Sequence, residues 1–149
     1  MVDKKYFCKK DLIKNLLGRK IASFNSFLQI LRIGFGDVSI RTEEPFTVSL
    51  NEKILLGDMD CYIKNKYNEY EIENTLLNTI FHDFIKKHKD LFLDKKVKEV
   101  LFDNHDLVIK LENDIKIKLF VDTDEVTSFY EKKEDDYNYR IYKRKILKD

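Results

Sequence analysis

Leu107-Val108-Ile109-Lys110-Leu111-Glu112-Asn113-Asp114-Ile115-Lys116-Ile117-Lys118-Leu119 carries the strongest local pattern in the chain. Apolar and charged residues alternate without exception from Ile115 to Leu119. A period of two puts one set of side chains on one face, which is the mark of a half-buried strand. Asn113-Asp114 is a turn pair, because both residues tolerate left-handed backbone. The stretch therefore predicts two strands joined by a tight hairpin. Upstream, Val97 and Val100 lead to a second turn pair, Asp103-Asn104, so residues 96–121 read as a three-stranded antiparallel meander.

The same grammar occurs earlier. At an offset of 76, Lys20-Ile21 meets Lys96-Val97, Phe24 meets Val100, Leu31 meets Leu107, Ile33 meets Ile109 and Phe35 meets Leu111. One added residue in the second turn brings Val38 and Ile40 onto Ile115 and Ile117. In the first copy Asn25-Ser26 and Gly36-Asp37 supply the turn signals. After Pro45, Phe46-Thr47-Val48-Ser49-Leu50 restores the alternation, and Ile54–Leu56 with Gly57-Asp58 closes the run. Residues 19–56 thus read as a first meander and the pair as an internal duplication. A lone meander buries little, so each must cover its apolar face with a helix or with the other.

Two helices complete the expectation. Leu12, Ile13, Leu16 and Leu17 form one apolar face, with Asp11 as N-cap and Gly18 as the left-handed stop. A long helix is expected over 71–92, where Ile72, Leu76, Ile80, Phe84 and His88 lie four apart and Leu77, Phe81, Ile85 and Phe92 widen the stripe. Asn68 with Glu71 resembles a capping box. The fold class is α+β: two antiparallel three-stranded meanders with one long helix between them and a short N-terminal helix. Residues 1–149 form a single domain, with an acidic loop at 122–136 and a C-terminal strand and basic tail at 137–149.

Composition agrees. The chain has 149 residues, 43% of them hydrophobic and 37% charged, with four Gly and one Pro. That excludes collagen-like, linker-like and mostly disordered classes. A chain of this length buries about two-thirds of its unfolded surface and needs no staples. No apolar run approaches the ~20 residues that span a bilayer, and none follows the basic N-terminus as a secretory signal requires. A cytoplasmic location is expected. The two cysteines, Cys8 and Cys61, fit no metal spacing and make no disulfide framework.

The net charge of +1 is unevenly placed: +5 over residues 1–20, +4 over 140–149 and −8 between them. Seven acids fall in 122–136: Asp122, Asp124, Glu125, Glu131, Glu134, Asp135 and Asp136. Such a concentration steers a cationic partner and repels nucleic acid. With Tyr130, Tyr137 and Tyr139 as anchors, this segment is the expected partner-binding surface.

Leu17-Gly18-Arg19-Lys20-Ile21, followed ten residues on by Leu31-Arg32-Ile33-Gly34-Phe35-Gly36, resembles a set of small bacterial proteins. These open with a leucine-glycine-basic-hydrophobic segment and a strand ending in Phe-Gly. The resemblance extends over Leu107–Phe120 to an aromatic-Arg-apolar-aromatic close, here Tyr139-Arg140-Ile141-Tyr142, where the set usually has Trp before the Arg. The resemblance transfers no agreed activity. By analogy, some such proteins are immunity partners of bacterial toxins, which implies a protein partner such as a cationic toxin domain.

Catalytic signatures are weak by comparison. His82 and His88 lie six apart, about 240° around a helix, so they share no face. His105 sits in a turn. Asp58 and Asp60 flank Met59 and, as alternate strand residues, could reach one cation. Glu112 with Lys116 or Lys118 has the wrong spacing for the Glu-x-Lys element of a restriction-type nuclease. No nucleophile elbow, dinucleotide fingerprint or phosphate loop occurs. The expectation is a non-catalytic protein-binding module without metal or cofactor. The alternative is a nucleic-acid binder or metal-dependent nuclease using Asp58, Asp60 and the basic tail, where Arg140, Lys143, Arg144 and Lys145 interleave with Tyr137, Tyr139 and Tyr142.

Overall fold

The computed structural model describes residues 9–27, 30–43, 45–57, 60, 79–103, 106–120, 128–132 and 138–140, the last two segments and Lys9 through their backbone. Helix α1 spans Lys9–Leu16. Its Leu12 and Leu16, four apart, are fully buried, while Lys14 faces solvent. Gly18 ends it at φ +81°, a conformation that costs a β-carbon dearly. Asp11 is not its cap but lies in the first turn, where the helix dipole favours a carboxylate. Arg19 then ties the helix end to the sheet: its Nε donates to Asn15 O at 2.5 Å and its Nη1 to Phe35 O at 3.4 Å.

Among the described residues, ten strands follow in two antiparallel sheets. Strands β1 (Ser23–Phe27), β2 (Ile30–Gly34) and β3 (Val38–Thr42) form a meander, joined at its far edge by β9 (Ser128–Lys132) and β10 (Asn138–Arg140). Strands β6 (Val97–Asp103), β7 (Asp106–Leu111) and β8 (Ile115–Leu119) form the second meander, joined by β4 (Phe46–Leu50) and β5 (Lys53–Gly57). The orders β1-β2-β3-β9-β10 and β6-β7-β8-β4-β5 are the same order with five added to or taken from each number. Each half of the chain thus builds a meander and sends its last two strands to the sheet of the other half. Residues 19–56 are not one meander as expected, because β4 and β5 leave for the second sheet after Pro45.

The two halves also meet directly. Lys20 and Lys96 form an antiparallel bridge. Around it Ile21 N donates to Lys95 O at 3.0 Å and Val97 N to Arg19 O at 2.8 Å. Gly18 N donates to Val97 O at 2.9 Å and Asp94 N to Ile21 O at 2.8 Å. Exchanging each residue for its counterpart 76 positions away turns each bond of a pair into the other. Gly18 and Asp94, counterparts at the same offset, both take positive φ.

Helix α2 spans Ile80–His88 and runs into a 3₁₀ turn at Lys89–Leu91. It does not extend unbroken from residue 71. Thr79 is extended, at φ −125° and ψ 156°, and its Oγ1 accepts from His82 N at 3.1 Å, a side-chain N-cap. The Asn68–Glu71 pair lies outside the described residues. The expected turn at Asn25-Ser26 is strand as well: Phe24 and Ser26 point inward and pair across to β2, so sheet pairing overrides the local turn preference. The expected acidic loop 122–136 contains β9.

One core joins the sheets. Phe81 of α2 stacks on Phe24 of the first sheet at 5.6 Å and meets Phe46 of the second edge-on at 6.1 Å. Phe92 stacks on Phe24 at 4.4 Å. Around these rings the inward residues of both meanders form one buried cluster, from Ile33 and Ile40 to Ile109 and Ile117.

Candidate functional site

Alternation that buries one face of a strand leaves the other outside. On the first sheet the outward residues are Ser23, Asn25 and Phe27 of β1, Ile30, Arg32 and Gly34 of β2, and Ser39 and Arg41 of β3. The hairpin turn fixes how they line up. Phe35 N donates to Val38 O at 2.7 Å, and Gly36 takes φ +86°. Gly34 then faces Ser39, and two residues back Arg32 faces Arg41. Asn25 faces Arg32 from the other side. Two arginines therefore stand in register on neighbouring strands, where like charges directly opposite each other disfavour the pairing.

Arg32 is exposed and makes no hydrogen bond or ion pair among the described residues. Arg41 is half-buried and has a contact within the chain. Two residue pairs further along, Phe27 is 51% exposed and faces Ile30. A concavity of about 610 Å³ runs over this ground, lined by Asn25, Ser26, Phe27, Ile30, Arg32, Arg41 and His82. His82, from the first turn of α2, walls one end. Its Nε2 is buried with no hydrogen-bond partner. A smaller hollow of about 240 Å³ adjoins it over Ser23, Gly34 and Ser39. In register, the row Asn25, Arg32, Arg41 continues through Phe129 of β9 to Arg140 of β10.

The second sheet's outer face is charged but self-paired. Lys110 meets Glu99 at 3.0 Å, Lys98 meets Asp114 at 3.5 Å, Lys116 meets Glu52 at 3.7 Å and Lys118 meets Asp106 at 3.9 Å. A hollow of about 340 Å³ there is lined by Lys98, Lys110, Lys116, Glu52 and Asp114 with Asn51 and Leu111.

The residues singled out from the sequence fall elsewhere. Asp122, Asp124, Glu125, Glu134, Asp135, Asp136 and Tyr137 lie outside the described residues. Tyr130 and Tyr139 face each other across β9 and β10, and Tyr130 also faces Ile40. Their register positions continue the row Phe24, Ile33, Ile40, whose side chains form the core. Glu131 stands opposite Ser39 and Asn138. Asp58, Cys8, Cys61 and His105 lie outside the described residues, as do Lys143, Arg144 and Lys145. Asp60 closes its own turn, where its Oδ2 accepts from Gly57 N at 2.8 Å. His88 is exposed and lies 4.7 Å from the Phe84 ring. Among the described residues no group of three or more His, Cys, Asp or Glu is placed to hold a metal ion, and no helix is long and apolar enough to cross a membrane.

The Arg32–Arg41 pair escapes a sequence reading because both residues lie inside strand patterns and far from the charged ends. The signal that could find it is the Gly36-Asp37 turn, since counting back from it on both strands brings the two arginines together. No protein-family model matches the chain, and no curated protein or solved structure matches it.

Proposed function

We propose that this chain is a non-catalytic binding protein that docks another protein on the outer face of its first sheet. The observation that carries this reading is the exposed Arg32, in register with half-buried Arg41 and beside the exposed Phe27 and half-buried Ile30. Cationic groups with apolar neighbours suit an acidic protein surface carrying an apolar anchor. Such a face favours an acidic partner, the opposite sign from that expected of the 122–136 segment. Immunity to a toxin domain is one form such docking takes, since an inhibitor has only to cover its target.

We also infer that the chain arose by duplication of a five-strand unit whose last hairpin is exchanged between copies. The matching strand orders and the bonds around Lys20–Lys96 support this. In that history one outer face acquired its lysine–carboxylate pairs and the other its in-register Arg32 and Arg41.

The test is capture from lysate with the tagged full chain. A specific partner should be retained by the wild type and by Lys110→Gln/Lys116→Gln, and lost by Arg32→Glu/Phe27→Asp. Equal retention by all three proteins would place docking elsewhere.

A further inference from the structure

Among the described residues the two sheets end in four edge strands, β1, β10, β5 and β6. An edge strand leaves alternate backbone N–H and C=O groups without a ladder partner, a template for a further strand unless something blocks it. Charges, bulges and brevity are the usual blocks, and three of the four edges carry them. β5 begins with Lys53 and shifts register with β4 between Val48 and Ser49. In β6, Lys98 stands at a register shift and Glu99 follows it. β10 is three residues long and ends in Arg140.

β1 has none of these. Its sequence, Ser23-Phe24-Asn25-Ser26-Phe27, holds no charge and no proline. It pairs with β2 from Ser23–Gly34 to Phe27–Ile30 without a register shift. Among the described residues no strand or backbone group bonds to its other side. Its counterpart in the other sheet is β6, so the block is present in one half of the chain and missing from the other.

The concavity of about 610 Å³ lies along this open edge. It joins Asn25, Phe27 and Arg32 of the outer face to His82, from the helix whose Phe81 packs on the inner face, and so passes around the border of β1. On the outer face Arg32, which has no partner among the described residues, stands behind Asn25. Two residues along, about 6.6–6.8 Å, the exposed Phe27 faces Ile30. A strand laid beside β1 repeats that spacing, because its residues at i and i+2 share a face. An acidic residue beside Asn25 then meets the Arg32 cation, and an apolar one beside Phe27 extends the apolar end. The residue between them turns inward beside Ser26.

We propose that β1 accepts an extended segment of the partner protein as a further strand of the first sheet, with an acidic residue beside Asn25 and, two positions away, a β-branched or aromatic residue beside Phe27. This rests on the docking reading above and gives the docked element its form. Main-chain bonds to an open edge supply affinity and alternate side chains supply specificity, a recurrent mode of peptide recognition. Selection of the acidic residue needs the charge of Arg32 alone.

The experiment is a titration of the isotope-labelled full chain with the peptide Thr-Ser-Val-Thr-Glu-Thr-Ser, followed by amide shifts and amide hydrogen exchange. In the antiparallel register its Val lies beside Phe27 and its Glu beside Asn25. Amides of β1 should shift, and those on its open edge should exchange more slowly, while β5 and β6 keep their rates. Two N-methylated peptides read the backbone directly, one methylated at Val and Glu, the other at the Thr on either side of Glu. Only alternate N–H groups of a strand point to one neighbour, so one version should bind like the parent and the other about tenfold or more weakly. Glu→Gln in the peptide, or Arg32→Gln in the chain, should weaken binding about two- to fivefold, the size of an exposed ion pair. The two changes together should cost no more than either alone. Val→Ser in the peptide, or Phe27→Ala in the chain, should also weaken binding about two- to fivefold.

Equal binding of both methylated versions overturns strand addition, as does protection that appears on β5 or β6 instead of β1. Additive losses from Glu→Gln and Arg32→Gln overturn the assignment of the acidic residue to Arg32. A free chain that scatters light as a dimer, with β1 amides already protected, gives the edge to a second copy and overturns the partner segment. If no peptide binds while partner capture still depends on Arg32 and Phe27, docking stands and strand addition fails. If capture ignores both residues, docking fails whatever the peptide does.

Discussion

The two sheets of this protein have the same strand order and opposite outer faces. On the second, Lys98, Lys110, Lys116 and Lys118 each meet a carboxylate within 4.0 Å. On the first, an arginine faces an arginine across β2 and β3. Paired surface charges contribute little to stability, typically 0–1 kcal/mol, and their fields cancel at short range. Like charges held opposite each other cost energy in the free protein and return it when an anion arrives. The difference teaches where selection for stability alone gives a poor account of the residues.

The inner faces differ far less, and the largest expected effect lies there. Phe81 is fully buried and touches a ring from each sheet, Phe24 and Phe46. Phe81→Ala removes both contacts and leaves a cavity, at a cost of about 3–5 kcal/mol. Urea unfolding should move to lower midpoint as one cooperative transition. Two separated transitions would show that the sheets have separate cores, and the comparison of faces would become one between two units.

A smaller effect tests how α2 is held between the sheets. Thr79→Ala removes the acceptor for His82 N and should cost about 1 kcal/mol, as N-cap losses do. Thr79→Ser should restore most of it. No loss in Thr79→Ala would show that the helix is fixed by Phe81 and its neighbours alone. Because His82 walls the concavity, the same variant should also alter the first face and leave the second face's amide signals in place.

Much of this architecture can be read from residues 107–119 outward. The alternation of Ile115–Leu119, the Asn113-Asp114 and Gly36-Asp37 turns, and the break at Pro45 all correspond to observed strands and turns. Lys20 and Lys96, aligned at the offset of 76, meet in an antiparallel bridge. Period-two patterns report which face a residue takes, and short turns report register. Neither reports which sheet a strand joins. The crossing of β4 and β5 to the second meander is therefore invisible in sequence, since both sheets accept the same alternation. The start of α2 is hidden for a related reason. Residues 71–92 keep an apolar stripe of helical period, and nothing in a stripe outweighs a β-branched threonine whose hydroxyl caps the turn after it. Charge counting points to the acidic run because it is dense in sequence. The arginine pair is nine residues apart in sequence and adjacent only through the hairpin.

Reversing one charge on each face gives the finest test of the comparison, because the two outcomes have opposite signs. Arg32→Glu puts a carboxylate opposite Arg41 and replaces repulsion with attraction, so it should raise stability by roughly 0.2–1 kcal/mol. Lys110→Glu breaks the 3.0 Å contact with Glu99, which lies opposite it in register, and sets like charges together. It should lower stability by a similar amount, roughly 0.2–1 kcal/mol. Both shifts should shrink as salt rises, since these side chains are at the surface and the screening length falls from about 10 Å at 0.1 M to about 3 Å at 1 M. Chemical denaturation with urea, which leaves ionic strength unchanged, resolves shifts of this size when the two variants are measured side by side. If Arg32→Glu destabilises the chain as Lys110→Glu does, the arginines already hold each other through contacts that make the face a structural feature. If it stabilises the chain while abolishing docking, the face keeps a cation that folding would discard, and binding is the reason it is there.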